Sequence, residues 1–162
     1  MFIPAICLAT IMLSFAVFAG VLAVTYSHLC LFSPPQRGTV DGINKAGSAD
    51  CLLLSGPCGG RPRGSMVTKV TAGQKLRVTF QKNLDHWDHT HGDFKIKIGE
   101  ETGHLQTLST IRDNGEPSLY VYSTEVTVPN GLPAQSILQV TYETKNSAAP
   151  AVFYQCSDLM VE

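Results

Sequence analysis

The sequence predicts an all-β domain: an immunoglobulin- or fibronectin III-like sandwich of two sheets, with seven to eight strands and one long disulfide-tethered loop. Three observations predict it. Short runs rich in Val, Ile, Thr, Tyr and Phe recur at nearly regular spacing, with turn residues between them. Residues 75–81 alternate strictly, Leu76, Val78 and Phe80 against Arg77, Thr79 and Gln81, as a half-buried strand does. After Ser33 no 11-residue window carries a convincing helical period.

Residues 1–27 contain no charged side chain and are mostly apolar, which reads as a secretory signal peptide. Ser27 and Thr25 are the small residues that a peptidase needs at the −1 and −3 positions, so cleavage after Ser27 is expected to leave His28 first. Two features oppose this: no Lys or Arg precedes the apolar run, and the run is long enough to stay as an uncleaved membrane anchor. A cut after Ala23 is the competing choice. The expected product is a secreted domain of residues 28–162.

Within that domain the expected strands are 28–33, 65–71, 75–81, 93–99, 104–109, 118–128, 136–143 and 151–161. Pro34-Pro35 ends the first, and Asn114-Gly115 and Asn130-Gly131 are turn dipeptides at later strand ends. Residues 36–64 form a long connection with seven glycines, and long structureless connections tend to be functional. A stapled surface loop without chemistry is the simpler reading of it. Cys30, Cys51, Cys58 and Cys156 make an even set in a secreted chain, hence two disulfides with three possible pairings. Cys156 is expected to reach the loop through Cys51 or Cys58. Tetrahedral zinc is disfavoured, because no two of the four are spaced by two to four residues. The formal charge of −1 provides no basic footprint for nucleic acid.

Metal chemistry enters through histidine. An N-terminal histidine offers two donors, its α-amine and a ring nitrogen, and two or three nitrogens in a tetragonal array suit Cu(II). A second cluster, residues 83–93, holds Asp85, His86, Asp88, His89, His91 and Asp93 between two expected strands. It is a rim loop where a scaffold presents ligands, though His-rich loops also bind metals without specificity.

Three motifs in order carry a resemblance. The run from His28 through Pro34, Pro35, Arg37 and Gly38 resembles the N-terminus of fungal copper-acquisition factors of the Bim type. Pro57-Cys58-Gly59-Gly60 is similar to their Pro-Cys-Gly-Gly motif, and Phe153-Tyr154-Gln155-Cys156-Ser157-Asp158 to their closing strand. The wider superfamily is the lytic polysaccharide monooxygenases. The resemblance implies a copper-binding β-sandwich with a histidine brace: His28 gives its amine and Nδ1, and His86, lying between the strands ending near Gln81 and starting at Asp93, gives an imidazole. His89 and His91 are alternatives. Phe153 matches the axial aromatic of the oxygenases, and Asp85, Asp88 or Asp93 would match the aspartate that the Bim-type proteins place near copper.

The expected function is therefore a secreted protein that binds Cu(II) for acquisition or buffering and passes it to a membrane copper transporter. The alternative is a copper-dependent monooxygenase acting on an extracellular polysaccharide. A metal-free interaction module is the third reading, and it gains if His28 is not the first residue. An oxygenase needs a broad aromatic face, and the single Trp87 beside His86 gives little material for one.

Overall fold

The structure, a computed structural model, describes residues 28–162; the expected signal peptide, residues 1–27, lies outside the described residues. Eight strands were found: β1 (His28–Ser33), β2 (Val67–Val70), β3 (Lys75–Leu84), β4 (Asp93–Gly99), β5 (Leu105–Arg112), β6 (Tyr120–Thr127), β7 (Gln135–Glu143) and β8 (Val152–Val161). A single 3-10 turn, Ala49–Cys51, is the one helical element among the described residues. The strands form a three-stranded sheet, β1-β3-β6, and a five-stranded sheet, β2-β8-β7-β4-β5. Every pairing is antiparallel except β2 with β8.

Alternation places the core between the sheets. Leu76, Val78 and Phe80 of β3 are buried, and they meet Phe94, Ile96 and Ile98 of β4 within one apolar cluster. The Phe80 ring bridges the sheets, 5.1 Å from Tyr122 of β6 and 5.2 Å from Phe94 of β4. Burial of each such side chain stabilises by about 1.5–3 kcal/mol.

Strand β3 runs three residues beyond the expected end at Gln81. Gln81, Lys82 and Asn83 are polar yet buried, so composition alone conceals them as strand. Tertiary hydrogen bonds make this possible. Asn83 accepts the amides of Gly47 and Ser48, both at 2.8 Å, and donates to the Lys45 carbonyl and to Gln81 Oε1.

The long connection is a double-stapled cover. One disulfide joins Cys30 to Cys51 and the other Cys58 to Cys156, which resolves the pairing the sequence left open. Cys30 alternates with the core residues Leu29 and Leu31, so its bond draws the loop over the outside of the smaller sheet. Cys156 does the same on the larger sheet, where Ile137 packs with both sulfurs and Gln139 donates to the Pro57 carbonyl at 2.8 Å. Strand β7 is consequently buried on both faces over residues 136–142.

Candidate metal centre

Three elements meet at one end of the sandwich. His28 opens β1 opposite Leu84, the last residue of β3, and is 4% exposed. His86 follows Leu84 by two residues and is 5% exposed. Phe153, fully buried on β8, places its ring 6.4 Å from that of His86, with an interplanar angle of 6°. Gln155, two residues along the same strand, donates to the Leu29 carbonyl at 2.8 Å and to that of Asp50 at 2.9 Å. This cross-link fixes β8 to β1 immediately after His28.

The rest of the 85–93 segment is dispersed. Asp85 Oδ1 accepts from Lys82 Nζ at 2.9 Å and from the Trp87 amide at 3.0 Å. Asp88 caps the Thr90 amide at 3.1 Å and is exposed. His89 is exposed, adopts φ 71° and lies 4.7 Å from the Trp87 ring. His91 Nδ1 is 2.9 Å from the Asp113 carbonyl, and Asp93 starts β4 opposite Arg112 and Glu143. Among the described residues no group of three or more His, Cys, Asp and Glu side chains is arranged to hold a metal ion. The sequence thus nominated six residues in this segment, and the structure brings His86 to the end of the sheet where His28 lies.

Sequence reasoning missed a buried polar network beside it. Lys82, fully buried, bridges Asp85 and the fully buried Asp113, whose Oδ1 lies 2.7 Å from Nζ. Asp113 Oδ2 accepts the Tyr142 hydroxyl in a short hydrogen bond, and Oδ1 accepts the Gly115 amide at 3.0 Å. Burial and then the bond to Asp113 push the Tyr142 phenol well above the ordinary tyrosine value. Nearby, Glu116 accepts the Tyr122 hydroxyl at 2.7 Å; burial works against its carboxylate, but that bond and backbone amides outweigh it and hold the pKa at about 2. The available signal was parity: the alternation of Leu76, Val78 and Phe80, continued two residues, points Lys82 inward.

Arg37, from the Pro-Pro-x-Arg-Gly run, serves the scaffold. Its guanidinium lies between Glu101 and the buried Asp158, with N–O distances of 2.5–2.7 Å, and donates to the Arg61 carbonyl at 2.9 Å. The hydrogen bonds it donates to Glu101 chiefly, against desolvation, raise its pKa further above an already high value.

No family model matches the sequence, and no curated protein matches it. Solved structures do resemble it. The catalytic domain of a lytic polysaccharide monooxygenase from Listeria monocytogenes superposes with a TM-score of 0.55 at 16% identity, over 83% of this chain and 99% of that one. A polysaccharide monooxygenase, CBM33, gives 0.52 at 13% identity, over 83% of this chain and 100% of the other. The narrower resemblance to fungal copper-acquisition factors rests on the three sequence motifs alone. At such identities the likeness is one of architecture: the described residues adopt the sandwich fold of lytic polysaccharide monooxygenase domains.

Proposed function

We propose that the chain, once processed to begin at His28, is a secreted copper-binding protein that holds Cu(II) in a histidine brace. His28 would supply its α-amine and Nδ1, and His86 one ring nitrogen. The observation that carries this reading is the placement of two buried histidines at the same end of the β1–β3 pair, with the Phe153 ring lying parallel to His86. The donor set fits the metal. Two imidazoles and an amine suit Cu(II), and all four cysteines of residues 28–162 are in disulfides, so no thiolate competes. Copper bound there would supply one-electron redox chemistry. The buried Phe153 ring gives His86 an apolar neighbour, and Asn146 Nδ2 holds the His86 carbonyl at 3.0 Å.

One added residue before His28 converts the amine into an amide and should abolish tight binding by calorimetry; undiminished affinity would refute the brace. Binding should also weaken from neutral pH to about pH 5, because the imidazoles and the amine must shed protons to ligate. A flat profile would point to carboxylate ligands. Complete absence of copper binding in protein confirmed to start at His28 would leave the metal-free module.

The monooxygenase reading is favoured by the fold of the two neighbours. Against it, Trp87 is only partly exposed and packs on Gly115 and His89, while among the described residues Tyr120 is the one aromatic of the well-exposed large apolar side chains. We therefore expect copper delivery or buffering, to a membrane transporter, ahead of sugar oxidation. With copper and a reductant, the protein should release no oxidised oligosaccharides from chitin or cellulose. Chain-end oxidation that depends on both His28 and His86 would reverse the order of the two functions.

A further inference from the structure

We propose that Lys82 and Asp85 are positioning residues for His86, acting on the copper site without touching the metal; this rests on the copper reading above. Asp85 Oδ1 accepts the amide of Trp87, two residues on, at 3.0 Å. That bond closes an Asx turn whose central residue is His86. The turn dictates the backbone at His86, and with it the direction in which the imidazole leaves the chain. The same oxygen receives Lys82 Nζ at 2.9 Å. The orientation of the turn is therefore referred to a buried ammonium.

That ammonium is itself fixed. Lys82 is fully buried on β3, and Asp113 Oδ1 takes it at 2.7 Å. Asp113 is held in turn by the Gly115 amide and the Tyr142 hydroxyl. Two further bonds locate the turn: the Asp85 amide donates to Ser118 Oγ at 2.9 Å, and Asn146 Nδ2 donates to the His86 carbonyl at 3.0 Å. A second route leads from Asp113 to the same imidazole. The Tyr142 ring lies 6.2 Å from Phe153, whose ring is parallel to His86. One buried carboxylate thus governs both the backbone of the turn and the ring packed beside His86.

A buried ion pair adds little net stability compared with apolar packing, because desolvation offsets the attraction. What it provides here is direction. Lys82 is the side chain that links the rigid end of β3 to a loop whose next residues, 88–91, are exposed. Outer partners of metal-ligating histidines act by fixing ring orientation, and their loss typically costs about 10–100-fold in affinity.

The test compares Cu(II) binding and the electron paramagnetic resonance spectrum, which reads nitrogen geometry, in protein processed to His28. Asp85→Ala opens the turn and should weaken binding about tenfold and alter the spectrum. Asp85→Asn keeps an oxygen that accepts from Trp87 and Lys82, so it should restore both. Lys82→Met/Asp113→Asn removes the two buried charges together, leaving neither stranded, and should reproduce the Asp85→Ala phenotype with Asp85 intact. This double variant carries the test if Asp85→Ala does not fold. Wild-type affinity and spectrum in the folded variants, alongside loss of binding in His86→Ala, would overturn the positioning role and keep the brace. Undiminished binding in His86→Ala would overturn the brace, and the positioning role with it.

Discussion

The two disulfides close rings of very different size, and that difference sets an experiment on the scaffold. Cys58–Cys156 spans 98 residues and Cys30–Cys51 spans 21, and the rings share no residue. In the chain-closure description, removing the larger restores unfolded-state entropy worth about 4.7 kcal/mol, and removing the smaller about 3.3 kcal/mol. All four cysteines are 0–3% exposed, so the packing lost on replacement by alanine is similar and largely cancels in the comparison. The Cys58→Ala/Cys156→Ala variant should therefore be less stable than Cys30→Ala/Cys51→Ala by about 1.4 kcal/mol, a tenfold difference in the unfolding equilibrium. Urea unfolding of both variants and the wild type measures it, with the urea slope expected to rise as the denatured chain expands. Equal losses, or a greater loss from the smaller ring, would refute the reasoning.

Two other perturbations follow from single residues. Gly115 has φ +87°, and an added Cβ would stand 2.6 Å from Trp87 Cε3, so Gly115→Ala should destabilise by about 1–3 kcal/mol. It should also shift the tryptophan fluorescence, which on excitation beyond the tyrosine absorption band reports Trp87, the single Trp, and an unchanged emission maximum would count against that packing. For Glu116, the folded pKa of about 2 lies below the ordinary glutamate value, so its contribution is present above about pH 4.3 and is lost as pH falls toward 2. Stability followed by urea unfolding should decline across that window in the wild type and less steeply in Glu116→Gln.

Most of the strand framework was legible because a half-buried strand writes its burial into its own sequence with period two. The seven-residue β4 matches its expected bounds for that reason, whereas β1 matches although it is buried on both faces over its first four residues. Extension of β3 to Leu84 was not legible, since the groups that make Gln81, Lys82 and Asn83 strand residues come from residues 43–48, 113 and 119. At the site, His86 could not be separated from His89 and His91 by residue type. What sets His86 apart structurally, its burial within an Asx turn and beside a ring from β8 that is 67 residues away along the chain, is not written near it in the sequence. Lys82 and Asp113 are partners across 31 residues, so composition near either one carries no sign of the other.

Strand β8 performs unlike tasks on its two faces within six residues. Phe153 and Gln155 serve the interior and β1, whereas Cys156 and Asp158 anchor the loop and Arg37 outside. Side chains in a strand exchange faces with any one-residue slip. A single deletion between Phe153 and Asp158 would bring a carboxylate toward the apolar interior and withdraw a sulfur from its partner in one stroke. Substitutions in this strand can therefore be absorbed one at a time, but its length cannot drift. Insertions and deletions have latitude instead at the exposed turns, such as the one at Asn130 and Gly131, where no comparable alternation has to be kept in phase.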